Sequence, residues 1–144
     1  MKKAIVYYSK TGNTKSVVDR FHGFDVLEVK AESDDPNHDP VLTSIPSISD
    51  YEYVVFASPV HGFQLCKIMK AYLKQLGSLQ GKKINLFITH HFRFAFLGGN
   101  QALKQMRKLV EEKEGQVDQM ISVNWKAKDR EEVIKKVISE YSKN

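Results

Sequence analysis

Strand-like segments alternate with segments of helical periodicity along the whole chain, and this alternation restricts the possible folds more than any other feature. The strand-like segments are rich in β-branched and aromatic residues, as buried strands are. They lie at 3–8, 25–30, 51–57, 82–90 and 117–125. The helical segments run from Thr14 to the residue before Gly23 and over 64–76, 100–114 and 129–141. Because strands that alternate with helices are joined by right-handed crossovers, this order predicts a parallel sheet with helices on both faces.

Residues 31–50 interrupt the alternation. They contain three of the four prolines, Pro36, Pro40 and Pro46, and acidic residues and serines make up much of the rest. Proline and these short polar residues favour turns over regular structure. We therefore expect mostly loop between the second and third strands, with at most one short helix.

Length and composition indicate one globular domain. A chain of 144 residues with 42% hydrophobic residues can bury a core of its own. We predict an α/β domain over residues 1–144, with three layers around a doubly wound, five-stranded parallel sheet. No apolar stretch approaches the roughly 20 residues of a membrane span, and the one after Lys2 and Lys3 is too short for a signal peptide. We therefore expect no membrane span and a cytoplasmic location.

Charge and cysteine content exclude several kinds of site. The net charge is +5, but the basic residues are scattered rather than clustered, so we predict no nucleic-acid binding. A positive surface still favours an acidic partner. Cys66 is the single cysteine, which excludes a disulfide within the chain and a cysteine metal cluster. His90 and His91 are adjacent at a strand end and point to opposite sides, so we predict no metal site.

Three loops are expected to form the functional edge of the sheet. In an open parallel sheet, ligands bind beyond the carboxyl ends of the strands, near the point where the strand order reverses. The loops that follow the first, third and fourth predicted strands are SKTGNT (9–14), SPVHGFQ (58–64) and THHFRFAFLGG (89–99). We therefore look for site residues in these three loops.

The first loop has the chemistry of a phosphate-binding loop. Ser9, Thr11 and Thr14 supply hydroxyls, Asn13 supplies an amide, and Gly12 lets the backbone approach a ligand closely. The loop opens a helix, whose unpaired N–H groups and dipole favour an anion. From the residues alone, an ordinary turn capped by Asn13 or Thr14 is the alternative. The spacing excludes a Walker loop and a dinucleotide fingerprint, and the lack of cysteine excludes a cysteine phosphatase.

The second and third loops carry flat side chains. His61 and Phe63 lie in the second loop, and His90, His91 and Phe92 lie in the third, before two further phenylalanines. A planar ring system held between these loops would find stacking surfaces on both sides. A phosphate at one end and a planar ring at the other describe a mononucleotide-like ligand.

Together the three loops resemble those of the flavodoxins and flavodoxin-like FMN proteins. SKTGNT is similar to their phosphate-binding loop, Ser/Thr-x-Thr-Gly-Asn-Thr, and SPVHGF is similar to the loop that covers one face of the isoalloxazine. THHFRFAFLGGNQALKQM stands where their second flavin loop and following helix stand. The resemblance extends over essentially the whole chain. It implies a single flavodoxin-like domain with strand order 2-1-3-4-5 and FMN at the switch point between strands one and three.

The resemblance also implies which residues contact FMN. The first loop would hold the phosphate, and the second loop would line one face of the ring and the edge near N5. The third loop would lie near the pyrimidine end or the opposite face. The implied cofactor-binding residues are Ser9, Lys10, Thr11, Gly12, Asn13 and Thr14, then Pro59, Val60, His61, Gly62 and Phe63, and finally Thr89, His90, His91 and Phe92. No catalytic side chain is implied. In flavodoxins, a peptide before a glycine turns its carbonyl towards N5 when the flavin gains one electron and a proton. The corresponding peptide here is His61-Gly62.

Two departures from the family pattern affect the expected role. Electron-transfer flavodoxins usually place a large aromatic, often Trp or Tyr, in each flavin loop, and they are strongly acidic. This chain offers histidine and phenylalanine instead, and its positive charge makes a bound flavin less reducing. We favour an electron carrier that binds FMN non-covalently and exchanges electrons with a redox partner protein, a reductase or an acceptor. The alternatives are an NAD(P)H-dependent flavin oxidoreductase acting on quinone or nitro-type acceptors, and a non-enzymatic flavodoxin-fold binding domain.

Overall fold

The alternation of strands and helices is present in the structure, a computed structural model that describes residues 1–35, 37–91 and 99–143. The strands are β1 (Lys3–Tyr7), β2 (Asp25–Glu28), β3 (Lys30–Ala31), β4 (Leu42–Ser44), β5 (Tyr53–His61), β6 (Gln64–Leu65), β7 (Lys83–His90) and β8 (Gln116–Asn124). The helices are α1 (Asn13–Val18), α2 (Lys67–Gln75), α3 (Gly99–Glu112) and α4 (Arg130–Tyr141). Among these described helices, none is long and apolar enough to cross a membrane.

The main sheet confirms the expected topology. Its parallel strands lie in the order β2-β1-β5-β7-β8, which is the order 2-1-3-4-5 when the five predicted strands are numbered along the chain. The chain moves outwards from β1 to β2 and then crosses back to β5 on the other side of β1. The strand order therefore reverses between β1 and β5, where parallel sheets of this kind bind ligands.

Helices cover both faces of this sheet, so the molecule has the three layers that were predicted. Successive residues of a strand point to opposite faces, so each central strand contributes to two cores. One core contains Val54, Phe56 and Leu86 of the sheet packed with Met69 and Leu73 of α2 and Leu103 and Met106 of α3. The other contains Ile5, Val55 and Phe87 packed with Val17 and Val18 of α1 and Ile134 and Val137 of α4.

Two short strand pairs lie outside the predicted pattern. Within the 31–50 segment, β4 pairs antiparallel with β3, and its described residues contain no helix. The start of the predicted helix over 64–76 is instead β6, which turns back along the end of β5. Strands of two or three residues have no periodicity that a sequence pattern could show, since pairing partners elsewhere in the chain stabilise them.

Lys82 joins the start of β7 to the turn that leads into β5. Its Nζ donates hydrogen bonds to the carbonyl oxygens of Ile48 (2.9 Å), Ser49 (3.3 Å) and Tyr51 (2.6 Å). An ammonium group has three protons, so these three acceptors use its full donor capacity. Lys82 therefore holds the amino ends of two central strands together, at the opposite edge from the predicted site.

Candidate functional site

The three predicted loops meet at the carboxyl edge of β1, β5 and β7. At this edge Tyr7 of β1 is in register with Ala57 of β5, and two residues further on Pro59 is in register with Thr89 of β7. The first two loops and the described start of the third are therefore neighbours in space. Pro59 and Val60 are half-buried and belong to the last residues of strand β5 rather than to a separate loop.

Two hydrogen bonds connect the first loop directly to the third. The buried hydroxyls of Thr14 and Thr89 lie 2.9 Å apart, and the side-chain amide of Asn13 donates to Nε2 of His91 at 3.0 Å. Because an amide nitrogen can only donate, Nε2 of His91 is the acceptor in this bond. These contacts join residues that are 75 and 78 positions apart in the chain.

The first loop is organised around Ser9 and Gly12. The Ser9 hydroxyl accepts hydrogen bonds from the backbone N–H groups of Gly12 (3.1 Å) and Lys15 (3.3 Å). Gly12 is the N-cap of α1 and has φ of +95°, in the left-handed region that glycine adopts at little cost. The expected N-cap at Asn13 or Thr14 is therefore wrong, because α1 starts at Asn13 with Gly12 as its N-cap, and Ser9 binds the helix N–H of Lys15 instead.

Lys10 and Thr11 form the exposed part of this loop. Thr11 makes no hydrogen bond to the residues described by the structure. Lys10 Nζ lies 3.5 Å from a carboxylate oxygen of Asp34, and both side chains remain 46% exposed. The sequence showed only an acidic, proline-rich segment around Asp34, with no signal that this residue would face the first loop.

The second loop is a tight β-hairpin. β5 continues to His61 and β6 begins at Gln64, so Gly62 and Phe63 are the two turn residues. Both have positive φ, +51° and +31°, which defines a type I′ turn, the turn that matches the twist of paired strands. Phe63 is 50% exposed at the tip and occupies a conformation that a phenylalanine rarely adopts.

His61 lies at the base of this hairpin in a half-buried position. Its Nε2 is buried and has no hydrogen-bond partner among the residues that the structure describes. Burial lowers the pKa of the imidazole, and the charge of Lys10 lowers it further, against a smaller opposing effect of Asp34. His61 is therefore neutral at neutral pH.

The third loop is described only at its two ends. Thr89 and His90 are buried, His91 is exposed, and the predicted ligand residue Phe92 lies outside the described residues. His90 packs under the start of α3, where a Cβ on Gly99 would stand 3.0 Å from its Nε2 and 2.4 Å from Ser122 Oγ. Of the described candidates in this loop, Thr89 and His91 therefore join the first loop, whereas His90 belongs to the interior.

Comparison with known proteins identifies the fold and the family. Similar solved structures include a flavoprotein in complex with FMN from Lactobacillus acidophilus NCFM (TM-score 0.69, 15% identity, 99% of this chain and 99% of that chain covered). Others are oxidised flavodoxin 2 from Bacillus cereus (0.68, 16%, 99% and 98%) and Fusobacterium nucleatum flavodoxin bound to flavin mononucleotide (0.66, 16%, 97% and 96%). At such low identities these likenesses show a shared fold alone.

The family follows from the sequence comparison. A search of curated proteins found no match. A family model described as a flavodoxin domain, however, matches residues 4–129, which is most of the chain. This protein therefore belongs to the flavodoxin family.

Proposed function

We propose that this protein binds FMN non-covalently and transfers electrons through it to or from a partner protein. The observation that carries the proposal is the direct connection of the first and third loops by the Thr14–Thr89 and Asn13–His91 hydrogen bonds. These bonds hold the loop SKTGNT beside the carboxyl end of β7, where the second flavin loop is expected to begin. The Lactobacillus acidophilus and Fusobacterium nucleatum proteins of the same fold are described as FMN complexes, which supports the same cofactor here.

The first loop has hydrogen-bond donors left over for a phosphate. Ser9 accepts two N–H bonds, so its own hydroxyl proton points elsewhere. Of the Thr14 and Thr89 hydroxyl protons, one is used in the bond between them and one remains. Asn13 has a second amide proton, and the Thr11 hydroxyl is exposed. These groups would hold the FMN phosphate mainly through neutral donors.

FMN, when bound, supplies the redox chemistry, and the protein sets its position and electrostatic surroundings. His61 adds no positive charge at neutral pH, since burial lowers the pKa of its imidazole. The positive field comes instead from the net charge of +5, since Lys10 is paired with Asp34. We therefore propose a bound flavin that is less reducing than in acidic flavodoxins, and an acidic redox partner whose rate of electron exchange falls as salt is added.

The hairpin turn has a built-in alternative conformation. Rotating the Gly62–Phe63 peptide converts a type I′ turn into type II′, in which only the first turn residue keeps a positive φ. Glycine suits that position, and the rotation would release Phe63 from its positive φ of +31°. We propose that this peptide, one residue after the His61–Gly62 peptide expected from the family resemblance, is the one able to change its carbonyl direction beside the flavin.

FMN binding can be tested through a side chain that has no structural role. Thr11→Val removes an exposed hydroxyl without breaking a bond among the described residues, so the fold should be unchanged. A hydrogen bond to a charged phosphate is worth about 1.5–3 kcal/mol, so the Kd for FMN should rise roughly 10- to 150-fold. Thr43→Val, at an exposed position of β4, is the matched control and should bind FMN as the wild type does.

The visible spectrum distinguishes the three functional classes. A protein that stays colourless after FMN is added would contradict the proposal and favour a flavin-free binding domain. For an FMN-loaded carrier, NADPH alone should leave the flavin absorption unchanged under anaerobic conditions, and adding a flavodoxin reductase should remove it. Rapid loss with NADPH alone would instead favour the NAD(P)H-dependent oxidoreductase.

A further inference from the structure

A cleft of about 610 Å³ borders the hairpin on the side of residues 33–35, 38 and 40. Its apolar part is formed by Pro40, Val60, Leu65 and Ile68, which come from three different segments of the chain. Charged side chains of the first loop, the 33–40 segment and the start of α2 also line it. A cleft of this size, with an apolar floor and a few polar groups at its edge, is typical of small-molecule sites.

The charges around the cleft do not cancel. Both acidic residues already have partners: Asp34 pairs with Lys10 at 3.5 Å, and Asp35 accepts from the Asn37 N–H (2.9 Å) and pairs with His38 Nδ1 (2.8 Å). The Asn37 N–H and then the His38 side chain lower the pKa of Asp35, so its carboxylate is already stabilised.

Lys70 of α2 supplies the uncompensated charge. It lines the cleft and has no ion-pair partner among the described residues. The edge of the cleft nearest α2 is therefore positively charged, which favours a ligand with an anionic group.

The cleft is separate from the contacts that hold the phosphate loop. It shares Lys10, Val60, His61 and Gly62 with the residues predicted to contact FMN. Of the described residues that line it, none takes part in the hydrogen bonds between the first and third loops. A ligand in the cleft would therefore contact the hairpin without displacing the groups proposed to hold the FMN phosphate.

We propose that this cleft is a second binding site, for a small molecule with an apolar body and one carboxylate. The apolar body packs on Val60, Leu65 and Ile68, and the carboxylate pairs with Lys70. Because the hairpin is shared, such a molecule binds next to the loop that is proposed to contact the flavin. The site itself does not require FMN, so its existence can be tested whether or not the proposed function holds.

The probe is 2-naphthoate, added to the ¹⁵N-labelled protein with and without FMN and followed by ¹H–¹⁵N NMR. Saturable shifts are expected for amides of 33–35, 60–62 and 65–70 in both states. Lys70→Gln should weaken naphthoate binding about 2- to 5-fold, the usual worth of a solvent-exposed ion pair. Lys74→Gln, on the same helix but outside the cleft, is the matched control and should change nothing.

The neutral analogue 2-naphthalenemethanol tests the charge requirement. It should bind more weakly than naphthoate, and Lys70→Gln should leave its affinity unchanged. The proposal is overturned if naphthoate shifts centre on 89–91 or vanish when FMN is added, since the cleft would then be part of the flavin site. It is also overturned if no saturable shifts occur at millimolar probe, or if Lys70→Gln leaves naphthoate affinity unchanged.

Discussion

The Thr14–Thr89 hydrogen bond makes the sharpest prediction, because it joins two of the loops and both hydroxyls are buried. The two oxygens are 2.9 Å apart, and the residues are 1% and 3% exposed. Valine has nearly the shape of threonine but no hydroxyl. Thr14→Val, Thr89→Val and the double variant therefore form a double-mutant cycle on a single bond.

The magnitudes follow from what each variant leaves behind. Either single variant leaves one buried hydroxyl without its partner, which should lower the free energy of unfolding by about 1–3 kcal/mol. The double variant removes both hydroxyls, so its loss should be no more than about 1 kcal/mol. The two single losses sum to about 2–6 kcal/mol, so the double variant should fall short of additivity by at least about 1 kcal/mol, as expected for residues in contact.

Denaturant unfolding of the FMN-free protein measures this cycle, since bound ligand would add its own contribution to stability. FMN titrations of the same variants separate structure from binding. Thr14→Val removes a proposed phosphate donor and should weaken FMN binding, whereas Thr89→Val leaves the Thr14 hydroxyl and its proton in place and should weaken it less. Thr43→Val, exposed on β4, should change the free energy of unfolding by less than about 0.5 kcal/mol.

Two results would refute the reasoning. If the double variant loses the sum of the two single losses, the hydroxyls are not bonded to each other, and the first and third loops are held by something else. If Thr89→Val weakens FMN binding as much as Thr14→Val does, the hydroxyl proton of Thr14 is not directed to the phosphate.

Three further predictions concern a turn, a titration and a strand connection. The Cβ of Gly12→Ala would meet no atom within 4 Å, so the variant should lose only the about 1–2 kcal/mol of unfolding free energy that a left-handed backbone costs an alanine, and it should bind FMN more weakly. Gly77→Ala, at a position without a positive φ, is the control and should not change the free energy of unfolding; equal effects of the two variants in denaturant melts would contradict this. Folding lowers the pKa of His61 from 6.5, so the unfolded chain binds the proton more readily than the folded protein does. The contribution of His61 to the free energy of unfolding should therefore be present above pH 6.5 and be lost as the pH falls through the lower folded pKa. If His61→Gln loses as much stability between pH 7 and pH 5 as the wild type does, another group is responsible. Lys82→Met leaves three carbonyls without their donor and should lower the free energy of unfolding by about 1–3 kcal/mol, against less than about 0.5 kcal/mol for the exposed Lys74→Met.

Most elements of the sheet and its helices could be predicted because their signals are local. The segment 82–90 became β7 at Lys83–His90, and the segment 129–141 became α4 at Arg130–Tyr141. Apolar periodicity and turn residues act over a few positions, so they are visible in the chain itself. The predicted helix starting near 14 is shorter, since α1 ends at Val18.

The hairpin shows where local pattern fails. Leu65 fits a helical stripe, yet it lies in β6 paired with Val60, and its N–H donates to the side chain of Gln105 on α3 at 2.8 Å. That partner is 40 residues away. Contacts of this kind outweigh helix propensity, which amounts to only a few tenths of a kcal/mol for most residues.

By itself the sequence determined the order of strands and helices, and with it which three loops stand at the carboxyl edge of the sheet. It also determined their chemistry: hydroxyls and an amide in the first loop, flat side chains in the other two. Only the tertiary structure decided that Thr14 meets Thr89, that Asn13 meets His91, that Lys10 pairs with Asp34 and that His90 is interior. The reason is physical: side-chain chemistry belongs to each residue, but the distance between two loops depends on how the strands between them are ordered and paired.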